Sequence, residues 1–477
     1  GGLSSSIGEM GKESGGFIVN LEKIPLKYKG LYPWEIWISE SQERMTLAVK
    51  PKNAKSVIEK FKLRGVEATI IGKFTKQKKA IVKYNKTEVL NLDMNFLHEG
   101  YPKLELKTKK PTYPVIKKNK LKKYSLINKL HKILSSPNIV SKEFVANQYD
   151  HEVQGSSIIK PLQGVGKVFG NTTAIKPLYD DNKTISLSHS AFPQYSEIDP
   201  YKMAACSINT AVKNLVVMGA NFKKIAILDN FCWCSSDEAG RLYELRKAAE
   251  ACYDYAVHYN TPFISGKDSM YNDFKGFNQK NNPIKISIPP TLLISSIGIV
   301  DNINHLTKIT PEKNDIIYVL GETHNELDKS QYENFFSVKK TNIPSVNATK
   351  SLDLYKKFEK ANKKKIFTSA LGVDLGGIGI TLIKMSISSN LGLNINIPKK
   401  NNLDINQFLF SESQSRIVVS IKKNKENTFK KIFKNTSFTK IGTCLDNKKI
   451  VFNYSSKKYS DTIENFSKSY KSKIKGL

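Results

Sequence analysis

Within this chain one stretch of sequence occurs twice, and that repeat limits its possible architectures more than any other feature. Ile38-Ser39-Glu40-Ser41-Gln42-Glu43-Arg44-Met45 returns as Phe410-Ser411-Glu412-Ser413-Gln414-Ser415-Arg416-Ile417. Each copy runs into an apolar, strand-like segment, Met45 to Val49 and Ile417 to Ile421. Each is preceded by a Gly-Gly that opens a helical pattern, with a methionine nine residues after the first glycine, Gly1 to Met10 and Gly376 to Met385. Each is followed by a Lys-rich helical pattern and then Ile-Gly, at Ile71-Gly72 and Ile441-Gly442. Ordered landmarks at matched spacing mark a duplicated module.

The repeat organises the 477 residues. A first copy covers residues 1–106. A Lys/Pro linker follows at 107–124, where Pro111 and Pro114 oppose helix. A different middle domain covers 125–312, the second copy 313–457, and a basic Ser/Lys tail 458–477. In the middle domain, Lys224 to Leu228 reads as a buried strand ending at Asp229. Asp237 to His258 has helical periodicity, and Thr261 to Ser265 is a short strand ending at Gly266. The sum is a mixed α+β or α/β architecture. The Gly1-Gly2 start, without Met or leader, predicts a piece of a longer polypeptide.

Charge narrows the function classes. Lys and Arg total 75 against 43 Asp and Glu, a net charge of +32. Only Arg44, Arg64, Arg241, Arg246 and Arg416 are arginine. Nucleic-acid readers exploit the rigid Arg fork, so dispersed lysine argues for solvated faces, with the runs 107–123 and 422–434 on a linker and an exposed helix. No specific nucleic-acid recognition is expected, although a positive field would draw in anionic, phosphorylated small substrates. The apolar stretch from Ile286 to Val300 contains Pro289-Pro290 and is too short for a bilayer span. Five cysteines form no paired CxxC pattern, which predicts a reducing, cytoplasmic setting.

Four constellations could carry chemistry. Ser265-Gly266-Lys267-Asp268-Ser269 follows a strand. Gly266 would admit a phosphate close to backbone N–H groups, Lys267 would supply charge, Asp268 could hold Mg²⁺ and Ser269 could donate to an oxyanion. The P-loop spacing is absent, and a surface turn is the simpler local reading. Asp229 at a strand end could accept from a nucleotide amine or bind a metal, or cap a turn. Glu40-Ser41-Gln42 offers carboxylate, hydroxyl and amide together, or only begins a strand. Tyr149-Asp150-His151-Glu152 sets a His between carboxylates, where a structural reading is favoured.

Taken together, GGLSSSIGEMGKESGG, KYKGLYPWEIWISESQERM, DMNFLHEGYP, YDHEVQGSSIIKPL, YSEIDPYKMAA, ILDNFCW, KAAEACYDYA and TPFISGKDS resemble the synthetase subunit (PurL) family of phosphoribosylformylglycinamidine synthase. The matches run from Gly1 through Ser269, and more weakly to about residue 455. The resemblance implies a duplicated aminoimidazole ribotide synthetase-like fold, ordered A1-B1-A2-B2. This chain would hold B1, A2 and B2, with A1 and the start of B1 missing. It also implies ATP-dependent, Mg²⁺-assisted conversion of formylglycinamide ribonucleotide to formylglycinamidine ribonucleotide. ATP would activate the amide oxygen, and ammonia would displace phosphate. A glutaminase subunit (PurQ) would supply the ammonia, with a bridging subunit (PurS).

Carried over residue by residue, the resemblance makes Glu40, Ser41, Gln42 and Ser269 substrate contacts and Asp229 and Gly266 ATP contacts. Lys267, Asp268 and Asn214 become candidate phosphate or metal contacts. Catalytic residues would lie in the missing A1 domain, so this chain alone would be inactive. The sequence departs from the family at Lys267, where relatives carry Asn or Lys. It departs again at Ile208-Asn209-Thr210-Ala211-Val212-Lys213-Asn214, where an acidic pair is common, and at Leu371-Gly372-Val373-Asp374-Leu375, where an Asp-Ser precedes Gly-Gly. The alternatives are a related synthetase, for aminoimidazole ribotide or selenophosphate, and a Lys-rich nucleic-acid binder.

Overall fold

The computed structural model describes residues 2–41, 43–113, 124–149, 152–338, 341–399 and 402–474. The chain forms two compact units, Gly1–Glu105 and Leu106–Leu477. No helix among the described residues is long and apolar enough to cross a membrane.

In the first unit α1 (Leu3–Ser14) leads into β1 (Phe17–Asn20), followed by α2 (Pro33–Ile38), α3 (Ala54–Leu63), β2 (Gly72–Phe74), β3 (Lys79–Tyr84), β4 (Thr87–Asp93) and α4 (Met94–Glu99). Helix α1 ends at Gly15, whose φ of 88° suits the left-handed cap. The Asp93 carboxylate caps α4 by accepting from Asn95 N and Phe96 N. The strands form one sheet in the order β2-β1-β3-β4, with β1 and β3 parallel. Leu3, Ile7, Phe17, Val19, Ile36, Val82 and Met94 make the core.

The second unit opens with α5 (Leu126–Leu134) and α6 (Glu143–Ala146), then β5 (Ser157–Ile159), β6 (Leu162–Gln163), β7 (Val168–Phe169), β8 (Thr172–Ile175) and β9 (Thr184–Ala191). Next come α7 (Pro200–Met218), β10 (Ile225–Cys232), α8 (Ala239–Tyr259), β11 (Phe263–Ser269), β12 (Asp273–Phe277), β13 (Pro283–Ser287) and β14 (Thr291–Val300). The remainder is β15 (Ile316–Leu320), α9 (Ala348–Lys363), β16 (Phe367–Gly372), α10 (Gly377–Ser389), β17 (Gly392–Asn396), α11 (Ile405–Phe410), β18 (Ile417–Ile421), α12 (Glu426–Ile432), β19 (Phe438–Leu445), β20 (Lys449–Tyr454), β21 (Lys457–Thr462) and α13 (Ile463–Tyr470).

Two large sheets result, ordered β11-β10-β14-β9-β8-β5 and β16-β18-β15-β19-β17-β20-β21. Helix α7 starts at an Asp199 cap with Pro200 in its first turn and is buried almost throughout. It packs on β9 and β14, whose inward residues Ser186, Ser188 and Ser296 are small and buried. One core runs from α7 and α8 through α9 to β15 and β18. A second gathers α5, α10, α11 and α13 on the other side of the second sheet.

The structure departs from the sequence reading at three places. The strands expected to end at Asp229 and Gly266 run on to Cys232 and Ser269, because β10 is hydrogen-bonded on both sides and carries β11 with it. The segment 458–477 holds β21 and α13, with Ile463, Phe466 and Tyr470 buried against α5 and α10. Met45 to Val49 is not a strand, and Met45 is 83% exposed. Its counterpart β18 pairs with β15 and β16, which precede Gly376. The first unit's described sheet offers no equivalent partners.

Candidate functional site

The site residues of the second unit sit on neighbouring strands. Strands β10 and β11 run parallel, in a register that sets Asp229 beside Gly266, Asn230 beside Lys267, Phe231 beside Asp268 and Cys232 beside Ser269. Strand β11 lies at the sheet edge, so one side of its backbone is free to meet a ligand. Gly266 is required by what stands beside it. A Cβ there would fall 2.0 Å from Asp229 Oδ1. That oxygen is buried and has no hydrogen-bond partner. Burial, and then the neighbouring Asp268 charge, push the Asp229 carboxyl above its usual range. An unsatisfied acceptor beside a bare strand calls for an N–H or O–H donor, such as the amine or hydroxyl of a nucleotide. Lys267 and Asp268 are exposed and Ser269 half-buried.

The structure therefore brings together Asp229, Gly266, Lys267, Asp268 and Ser269. Asn214 lies elsewhere, buried in α7 against Gly372 of β16, with its Oδ1 unpartnered. Among the described residues no three His, Cys, Asp or Glu side chains come together as a metal site. The expected Mg²⁺ thus has no protein-built cage here; Asp229 and Asp268 are two carboxylates, and Lys213 rather than an acid adjoins Asn214.

The repeated turns share their local geometry. Arg44 Nη2 donates to Ser39 O at 2.7 Å, and Arg416 Nη2 donates to Ser411 O. Glu43 and Ser415, at matching positions, have φ of 61° and 58°. A Cβ on Gly2 would meet Ser39 O at 2.7 Å, and one on Gly377 would meet Ser411 O at 2.6 Å, so the helix start presses on the turn in both copies. Glu40 and Ser41 are exposed in the first unit. Gln42 lies outside the described residues, as do Asp150 and His151.

The second turn is closed. Glu412 accepts from Tyr195 Oη at 2.7 Å, Gln331 N at 2.9 Å and Gly376 N at 2.8 Å. Burial pushes its carboxyl up to about 7, against the pull of those three donors. Gln414 Oε1 accepts from Asn209 Nδ2 and Thr210 Oγ1. Arg416 and Lys213 are fully buried, and burial lowers them to about 10 and about 8. Lys213 Nζ donates to Val373 O. Sequence reasoning did not single out Tyr195 or Arg416 as parts of this network. The signal available was Arg416, one of five arginines, at the same motif position as Arg44.

Residues 170–288 match the model of the AIR synthase related protein, N-terminal domain, and residues 1–85 and 375–455 that of the C-terminal domain. The chain is thus an AIR synthase related protein with an α+β fold. Phosphoribosylformylglycinamidine synthase subunit PurL of Methanocaldococcus jannaschii is 31% identical over 455 residues, covering 92% of this chain and 59% of that relative. The PurL of Thermococcus sibiricus is 30% identical over 437 residues, covering 91% and 58%. The chain is similar to these PurL relatives over more than nine-tenths of its own length and spans just under three-fifths of theirs. Solved structures agree in fold. PurLQS from Thermotoga maritima superposes with a TM-score of 0.62 at 18% identity, covering 93% of this chain and 62% of that one. T. maritima PurL complexed with FGAR gives a TM-score of 0.61 at 18% identity, covering 93% and 60%.

Proposed function

We propose that this chain is the B1-A2-B2 portion of a ligase of purine biosynthesis that converts formylglycinamide ribonucleotide to formylglycinamidine ribonucleotide, with ATP going to ADP and phosphate as ammonia is taken up. The observation that carries the nucleotide part is the buried, unpartnered Asp229 Oδ1 beside Gly266. In this reading Asp229 accepts a hydrogen bond from the nucleotide, and Gly266 leaves room for it. The Lys267 ammonium draws in the phosphates, and Ser269 donates to the substrate. The exposed Glu40 and Ser41, together with Gln42, bind formylglycinamide ribonucleotide. Mg²⁺ arrives with the nucleotide, since two carboxylates make no cage of their own. Ammonia comes from a glutaminase partner of the PurQ type, bridged by PurS, in the cytoplasm. T. maritima PurL has been solved complexed with ADP and with ATP, which supports a nucleotide as ligand.

The test has two arms. Gly266→Val should abolish ATP binding to the 477-residue chain in equilibrium dialysis, because the valine side chain would occupy the space beside Asp229. Unchanged ATP affinity removes this site. In the second arm, the chain is combined with the part of a PurL relative that it does not span, plus ammonia, ATP and formylglycinamide ribonucleotide. Substrate-dependent ADP release is expected, and its absence would sink the ligase reading.

A further inference from the structure

A cavity of about 370 Å³ lies at the start of α7, and neither Asp229 nor Gly266 lines it. Its walls come from four stretches of the chain, one of them Ser345-Val346. The extended segment before residue 114 supplies Lys110 and Tyr113, the first turn of α7 supplies Tyr201 and Lys202, and the second and third turns of α8 supply Tyr243 and Lys247. The segment is tied to α8 by Lys109 N donating to Ala239 O at 3.0 Å.

The charges converging here are only partly compensated. Lys247 Nζ is held by Glu250 at 2.5 Å. Lys110 and Lys202 form no ion pair with any described residue. The Asp199 carboxylate also lines the cavity, but it is turned to the helix end, where it accepts from Lys202 N at 3.0 Å. The α7 N-terminus adds partial positive charge. The Tyr113 hydroxyl is buried beside the Glu244 carboxylate. Burial, and then the neighbouring Glu244, push its pKa up, so it remains a neutral donor.

We infer that this cavity binds a nucleoside monophosphate: a planar heteroaromatic ring carrying one phosphate. Lys110 and Lys202 take the phosphate, and the tyrosine rings take the base. Bases stack on tyrosine rings whatever their identity, because every base has a π-face. The volume is at the lower end of the ~300–1,000 Å³ typical of small-molecule sites, which suits one nucleotide and excludes a dinucleotide. The inference stands apart from the ligase reading, because none of the Asp229–Ser269 site residues lines this cavity.

AMP, adenosine and inorganic phosphate serve as probes in calorimetric titrations of the 477-residue chain. AMP is expected to bind saturably, and adenosine and phosphate each at least tenfold more weakly. Lys110→Ala with Lys202→Ala should weaken AMP at least tenfold. Tyr243→Leu, which leaves every lysine in place, should weaken AMP and leave phosphate unchanged. Gly266→Val should leave AMP binding intact, which separates this cavity from the proposed ATP site. The inference is overturned if AMP does not bind, if phosphate binds as tightly as AMP, or if the lysine pair and Tyr243→Leu leave AMP affinity unaltered. AMP binding lost with Gly266→Val would overturn it too.

Discussion

The two copies of the repeated turn carry nearly the same sequence and the same local bonds, yet one is open and the other sealed. In both, the arginine donates to the serine carbonyl five residues earlier, and the residue before it takes a positive φ. Glu40 is exposed, whereas Glu412 is enclosed by Tyr195, Gln331 and Gly376. Local sequence therefore sets the shape of the turn, and the surroundings decide whether a ligand can reach it. The following segment shows the same contrast: Met45 to Val49 stands outside any strand, while β18 is buried between β16 and β15.

The sharpest way to break the comparison is a charge at matched positions. Val419→Asp should unfold the second unit, since a lone buried carboxylate in the sheet costs several kcal/mol or more. Leu47→Asp, at the matching position of the first unit, should leave its urea midpoint unchanged. Equal effects would mean that the 45–49 segment is packed in solution as β18 is.

Next in size is the arginine pair. Arg416→Ala leaves Ser411 O, Ser413 O and Thr323 Oγ1 without a buried donor and should cost on the order of 3 kcal/mol in denaturant melts. Arg44→Ala, at an exposed position, should have no measurable effect on stability.

A smaller effect concerns pH. The Glu412 carboxyl is raised to about 7 in the folded protein from an ordinary value of 4.5. Its contribution is therefore full below about pH 4.5 and is lost as pH rises through 7, by as much as ~3 kcal/mol. Glu412→Gln, which keeps the size and an acceptor, should flatten that slope between pH 5 and 7 in thermal melts. An unchanged slope would assign the dependence to other groups.

The smallest change in stability is expected for Glu40→Ala, which should weaken formylglycinamide ribonucleotide binding while the melt stays in place. Unaltered substrate affinity would take Glu40 out of the proposed site.

The repeat was legible because it is written in the primary sequence, and the structure repeats it in hydrogen bonds. The helix read over Asp237 to His258 lies close to the observed α8, Ala239–Tyr259. The ends of β10 and β11 were not legible, because polar residues such as Asp229, Lys267 and Asp268 look like a turn until the strands beside them are known. The fold of the basic tail was likewise hidden. Ile463, Phe466 and Tyr470 form an apolar face only once α5 and α10 are there to cover it.

By itself the sequence determined the duplication, the mixed architecture and the turn conformation. Each of these rests on short-range geometry: glycine where backbones press together, a positive φ, an arginine reaching back five residues. Only the tertiary structure decided which turn is exposed, that Asp229 is left with an unanswered acceptor beside Gly266, and that Lys213 and Arg416 are buried. Burial is a sum over distant neighbours, and no run of adjacent residues contains it.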